Sequence, residues 1–373
     1  MTAPALPDID PVGPTPGLEG DPLVTFAHAF ARGTLAPTAA EHDRAGITRE
    51  ALLAMGPLLA MAHPLDGESV SPAQWREVSE LLVAADGTAW FCWSQHHPLV
   101  RAITMTLPYA GDHLAALLAL RDDLVRGRRF AALSFSHVRR PGAPFTAERE
   151  AAGWRLTGHV DWITAWDVAD VVLVLAEWQG QFVHLAVDTA PRPTLRVGER
   201  LELMALGGSH TRPVDFAGDL VPGDRLVGLQ PKEQWLSLDD RVTHQPNPAA
   251  FGLARGAAAS LMASAHERGC DRTQTAAGLL VDEIRQQRAI AYDAIDSGSA
   301  GAEELLALRS RALDLAVRAT AMALTARGGQ GMIRGGADER RCREAAFLLV
   351  QRQTAATRAA SLRMWTAGDL AAT

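Results

Sequence analysis

Gly153-Trp154-Arg155-Leu156-Thr157-Gly158, followed by Asp161-Trp162-Ile163-Thr164 and then Ala169-Asp170-Val171-Val172-Leu173-Val174, reads as β-structure in the middle of the chain. Aromatic and β-branched residues suit a pleated strand, and the unbroken apolar run 171–174 predicts a strand with neither face in water. Around this stretch, short β-rich runs at 130–136, 154–162, 171–177, 182–188 and 211–216 alternate with Gly, Pro and Asp turns. Strands at that spacing predict a small barrel or sandwich over 130–229. The segment Leu220-Val221-Pro222-Gly223-Asp224-Arg225-Leu226-Val227-Gly228 predicts a loop leaving it.

Both flanks have helical periodicity. Ser71-Pro72-Ala73-Gln74 carries a cap, a first-turn proline and a capping-box glutamine. Trp75, Val78, Leu81, Leu82 and Ala85 then recur at helical spacing and form one apolar face. Another such stretch, 114–124, precedes the basic run 126–129. After the β region, Asn247 caps and Pro248 starts an alanine-rich helix with Leu253, Ala257 and Leu261 on one stripe. A later helix presents Leu308, Leu315, Ala319 and Met322, and a final one is expected from about 338 to 365. Long helices with small residues at their seams predict a four-helix bundle. The expected organisation is therefore a loose Pro-rich arm (1–20), a helical domain (21–129), a β domain (130–229) and a helical bundle (230–373).

Composition narrows the function. With 373 residues and 47% hydrophobic content the chain can bury a large core. A formal charge of -7 gives no general attraction to nucleic acid or an anionic membrane. Cys92, Cys270 and Cys342 are far apart, which suits neither a zinc site nor a disulfide scaffold and predicts a reducing cytoplasm. No apolar run reaches the ~18 residues of a membrane span, and the N-terminus lacks the pattern of a signal peptide.

Helices, a β insert and a helical bundle in that order, with Gly-Trp-x-Leu-x-Gly leading into Trp162-Ile163-Thr164, resemble the acyl-CoA dehydrogenase superfamily over roughly residues 20–365. The resemblance implies an α+β fold: an N-terminal helical domain, a middle barrel-like β domain and a C-terminal four-helix bundle. It also implies FAD, with Trp162, Ile163 and Thr164 at the ring; Trp162 would exclude water from one side and Thr164 would donate toward the reactive nitrogen. Taken alone, Trp162 reads rather as a core aromatic and Thr164 as a strand end. Phe135 and Ser136 fall where the family meets the flavin pyrimidine edge. Gly328, Gly329 and Gly331, in Arg327-Gly328-Gly329-Gln330-Gly331-Met332, resemble the turn that approaches a dinucleotide's adenine half, often across subunits. Leu206-Gly207-Gly208-Ser209-His210-Thr211 resembles the strand entry that precedes the family's exit loop.

His137, in the basic turn His137-Val138-Arg139-Arg140-Pro141-Gly142, departs from the family pattern. It is either a titrating group near substrate or a solvated histidine. His97 or His96, in the run Trp90 to His97, is a second candidate for the pocket, although Trp90, Trp93 and His97 share what reads as a core face.

The family's proton-abstracting glutamate is missing. Arg343-Glu344-Ala345 aligns with the family's helix and Thr354 with its threonine, so the base position falls on Arg352, which cannot abstract a proton at neutral pH. The alternative location, 245–255, holds no Asp or Glu. The Arg-x-x-Phe-Gly loop that holds flavin phosphates across the dimer is also not visible. FAD is therefore expected either loosely held or replaced by FMN, or a flavin supplied already reduced by a separate reductase. Three functions are weighed. The expected one is an acyl-CoA dehydrogenase-like flavin oxidoreductase acting on an acyl thioester or other organic compound with an unconventional base such as His137. The second is a two-component flavin monooxygenase using reduced flavin and O2. The third is a non-catalytic partner subunit. The resemblance further implies a homodimer or homotetramer.

Overall fold

The computed structural model describes residues 10–370, apart from residues 66, 68, 140, 141 and 143 and the side chains of 367–370. The chain opens with α1 (Pro22–Phe30), α2 (Ala36–Ala45), α3 (Arg49–Leu53), α4 (Pro72–Ala85), α5 (Gly87–Thr106) and α6 (Leu114–Val125). The capping box read from the sequence is complete at α4: Gln74 N–H donates to Ser71 Oγ at 3.2 Å, and Ser71 N–H donates to Gln74 Oε1 at 2.8 Å.

The strands are β1 (Ala131–Ser134), β2 (Thr146–Glu150), β3 (Gly153–Ile163), β4 (Val171–Trp178), β5 (Gln181–Asp188), β6 (Leu195–Val197), β7 (Arg212–Pro222) and β8 (Leu226–Pro231). They form one mixed sheet in the order β6-β7-β3-β2-β4-β5-β8, with β1 pairing parallel to β4. The two ends of β4 receive different neighbours. β1 runs along Val171–Val174, while β2 meets β4 only at Glu177. Side-chain alternation then buries both faces of β4, with Val172 and Val174 in one core cluster and Val171, Leu173 and Leu175 in the other. The apolar run in the sequence has this cause. At the start of β3, Gly153 has φ 151°, and a Cβ there would sit 2.0 Å from the Val221 carbonyl on β7.

The helices α7 (Lys232–His244), α8 (Pro248–Arg268), α9 (Asp271–Asp296), α10 (Ala302–Arg327), α11 (Ala337–Leu348) and α12 (Ala355–Leu370) complete the chain. Asn247 caps α8 as expected, accepting from Ala249 N–H at 3.1 Å. Alanine dominates α8 because it is buried on nearly every side, between α4, α9 and α10. Among the described residues, no helix is long and apolar enough to cross a membrane.

Three expectations are corrected. The segment 220–228 is not a loop: it holds the end of β7, a single 3-10 turn and the start of β8, whose residues pair with β5. The final helix is two, α11 and α12, separated by 349–354. The N-terminal arm is docked from residue 10 onward, and residues 1–9 lie outside the described residues. Val12 is buried, Thr15 donates from N–H and Oγ1 to Glu77 Oε2, Arg255 binds Asp10, and Arg285 and Arg288 hold the carbonyls of Val12 and Gly13.

Candidate active site

The ends of β1 and β3 meet through a bridge between Leu133 and Thr164, and Ser134 Oγ donates to the Trp162 carbonyl at 3.3 Å. Alternation along β3 then sorts the three residues read from the sequence. Trp162 is 37% exposed, Ile163 is fully buried in the core and Thr164 is turned back to the side of Trp162. The ledge so formed is the floor of an open cleft of about 770 Å³.

Leu133, Phe135 and Ser136 extend this floor from β1. Phe91, Gln95 and Pro98, at helical spacing on α5, make one wall. Trp235, Leu238, Asp239 and Val242 of α7 make the opposite one, with Phe135 set edge-on to Trp235 at 5.5 Å between ring centres. The roof is Ala346 and Phe347 of α11 together with Val350, Gln351 and Arg352 beyond it. Phe91 and Phe347 meet edge-on at 4.9 Å and tie wall to roof.

Polar groups in this apolar cleft are few. Ser136 Oγ is buried and has no hydrogen-bond partner, which is costly unless a ligand or water supplies one. Thr164 Oγ1 lies 3.3 Å from Thr211 Oγ1, itself 2.9 Å from Ser209 Oγ, so this chain of hydroxyls can turn to serve a ligand atom. Arg139 and Asp239 form a bidentate pair at 2.7 and 2.6 Å. Arg352 is exposed at the roof with a left-handed backbone, φ 50°, and forms no hydrogen bond or ion pair among the described residues. A non-glycine residue held in that region costs on the order of 1 kcal/mol, a strain found most often at functional sites.

The two histidines named from the sequence are not brought to the cleft. His137 Nε2 donates to the Leu175 carbonyl at 2.7 Å and its ring packs edge-on to Phe145. Burial holds its pKa below the usual imidazole value despite that hydrogen bond. Of the basic turn after it, Arg140 and Pro141 lie outside the described residues. His97 is buried between Trp75 and Trp93, at 4.7 and 4.8 Å, with neither ring nitrogen bonded. His96 is also buried, its Nδ1 accepting from Ala131 N–H at 3.1 Å, and burial pushes its pKa down to about 3. The face of α5 that reaches the cleft is the other one, carrying Phe91, Gln95 and Pro98.

Gly328, Gly329 and Gly331 lie in the turn after α10, away from the cleft. Gly328 and Gly329 are exposed and Gly331 is buried. Sequence reading missed the α7 wall, although Trp235, Leu238, Asp239 and Val242 have plain helical spacing.

A flat ring system fits the observations: a broad apolar cleft, an aromatic ledge at its floor and an unsatisfied hydroxyl at its edge. No family model matches the chain, and no curated protein does. Solved structures do. Butyryl-CoA dehydrogenase from Megasphaera elsdenii superposes with a TM-score of 0.73 at 19% identity, covering 96% of this chain and 99% of that one. A glutaryl-CoA dehydrogenase from Mycobacterium smegmatis, in complex with FADH2, gives 0.77 at 18% identity, covering 96% and 97%. A chain from the electron transferring flavoprotein of Acidaminococcus fermentans gives 0.77 at 21% identity, covering 95% and 98%. The order of helices, sheet and helices and the coverage of nearly the full length on both sides agree: this chain has the acyl-CoA dehydrogenase fold.

Proposed function

We propose that the chain is a flavin-dependent oxidoreductase whose flavin ring lies on the Trp162–Thr164 ledge. The observation that carries this is the unpartnered, buried Ser136 Oγ at the edge of a cleft floored by a half-exposed tryptophan. The glutaryl-CoA dehydrogenase of the same fold, in complex with FADH2, supports it. A bound flavin supplies two-electron redox chemistry, as hydride acceptor or, when reduced, as donor to O2. The chain's own residues do the rest. Trp162 shields one side of the ring from water, Ser136 and Thr164 offer hydroxyls to its polar edge, and the α7 and α5 walls hold an organic substrate against it.

Proton abstraction is the step these residues serve least. Asp239 is the one carboxylate among the described residues that line the cleft, and both of its oxygens are engaged by Arg139. Arg352 occupies the roof as a cation. A cleft without a free carboxylate favours, as second reading, oxygenation with reduced flavin from a separate reductase over dehydrogenation of an acyl thioester. FAD is the preferred cofactor; Gly328, Gly329 and Gly331 would then serve its adenine half in a homodimer or homotetramer, and FMN is the alternative. Exposed Leu279 and Ile290 on α9 support such an assembly.

Titration of the purified chain with FAD, FMN and their reduced forms tests the reading. Trp162→Ala is expected to weaken flavin binding by at least about tenfold, in line with loss of an aromatic contact and its shielding, and Ser136→Ala by less. Absence of flavin binding in both redox states would return the chain to the role of a partner subunit. Anaerobic bleaching of bound flavin by acyl-CoA favours dehydrogenation, whereas oxygen uptake with reduced flavin favours oxygenation.

A further inference from the structure

We infer that Arg352 is an anion receptor and that the cleft takes an organic monocarboxylate, an apolar body ending in one carboxylate. The inference rests on the flavin reading of the same cleft and names its substrate class. Among the described residues, three charged side chains line the cleft: Arg139, Asp239 and Arg352. Arg139 and Asp239 neutralise each other through two hydrogen bonds. Of the described lining, Arg352 is left without an ion-pair partner, and that lining carries a net charge of +1. A guanidinium keeps its proton under all ordinary conditions and presents paired N–H donors that match a carboxylate. One positive charge suits a monoanion; a dianionic phosphate would call for a second free cation, which the described lining lacks.

The backbone supports a positioned group. Arg352 stands in a left-handed conformation in the break between α11 and α12. That break is held from behind, where Arg309 Nη2 donates to the Gln351 carbonyl at 3.0 Å and Gln351 Oε1 accepts from Asn247 at 2.8 Å. The remaining surroundings (Phe347, Val350, Trp235, Leu238) are apolar and fit a hydrocarbon or aromatic body.

The test uses the full chain saturated with FAD and, separately, without it. Calorimetric titration compares phenylacetate with phenylacetamide and octanoate with octanamide, against wild type, Arg352→Gln and Arg352→Lys. Wild type is expected to prefer one acid over its neutral amide by at least about tenfold, the scale of a charge-assisted hydrogen bond. Arg352→Gln should bring that ratio to about one, and Arg352→Lys should keep part of it. Acid and amide bound alike, or neither acid bound, would overturn the inference. So would an Arg352→Gln variant that keeps the preference, or one whose only change is weaker FAD binding, since Arg352 would then serve the cofactor. Flavin titration of the same samples reports on the flavin reading independently of the acid-to-amide ratio.

Discussion

At the residue scale the largest electrostatic commitment lies away from the cleft, where α4 meets α8 and α9. Arg255 donates to Glu77 at 2.7 Å and also binds Asp10, while Arg288 pairs with Glu80 at 3.0 Å and Tyr292 donates its hydroxyl to Glu80. Burial raises the Glu80 pKa, while Arg288, Arg255 and the Tyr292 hydroxyl pull it the other way. Arg255→Met is expected to cost about 3–5 kcal/mol, because it leaves buried carboxylates without their partner. Adding Glu77→Gln should return part of that loss. Urea midpoints check both; a single variant within about 1 kcal/mol of wild type would contradict the buried network. This cluster was not legible in the sequence, where charged residues on a helix read as its solvated face. The cleft positions of Trp162 and Thr164 were legible through strand alternation, and those of Phe135 and Ser136, beyond the end of β1, only through the local resemblance. His97 took the core face that its spacing from Trp90 and Trp93 also offered, whereas nothing in the local pattern showed that the His137 ring would turn onto Phe145 and the Leu175 carbonyl.

At the scale of elements, the closeness of α8 to α4 is set by glycine. A Cβ on Gly252 would lie 2.4 Å from Val83 Cγ1 and 2.5 Å from the Glu80 carbonyl, and the second of these is backbone that cannot turn aside. Gly252→Ala should therefore destabilise by about 1–3 kcal/mol through overpacking. On α9, exposed Gly278 has nothing within 4 Å of a Cβ, and Gly278→Ala should stabilise by roughly 0.5–1 kcal/mol through helix propensity. Thermal unfolding of the two variants should move in opposite directions. The caps of α4 and α8 were readable because Ser71-Pro72-Ala73-Gln74 and Asn247-Pro248 are chemical signals confined to one turn. The break between α11 and α12 gave no such signal: Gln351-Arg352-Gln353-Thr354 contains neither Gly nor Pro, and Arg352 takes the left-handed turn itself. Short β6 and the charged strand β2, Thr-Ala-Glu-Arg-Glu, lacked an apolar alternation strong enough to be seen.

For the whole molecule, imidazoles wholly or partly withdrawn from water couple stability to pH. Burial lowers the pKa of His96 to about 3 and of His184 to about 4, and holds His97 and His137 below the usual value as well. In the unfolded chain these groups bind protons below about pH 6.5, while the folded chain refuses them until the lower values are reached. Their contribution is thus fully present above about pH 6.5 and is lost as pH falls, at up to about 1.4 kcal/mol per pH unit for each imidazole. Glu80 and Glu344 work in the other direction, because their raised pKa values let the folded state take up protons first as the medium acidifies. The histidines are more numerous, and their loss begins near neutrality, above the range of ordinary carboxylates. Urea midpoints are therefore expected to drop between about pH 7.5 and 5.0. His97→Phe, which keeps an aromatic ring between Trp75 and Trp93 but cannot titrate, should flatten that slope by about one imidazole's share whatever it does to stability at neutral pH. An unchanged slope in this variant would mean that His97 takes up its proton in the folded state as readily as in the unfolded one, and so is open to solvent rather than enclosed by the α4–α5 core.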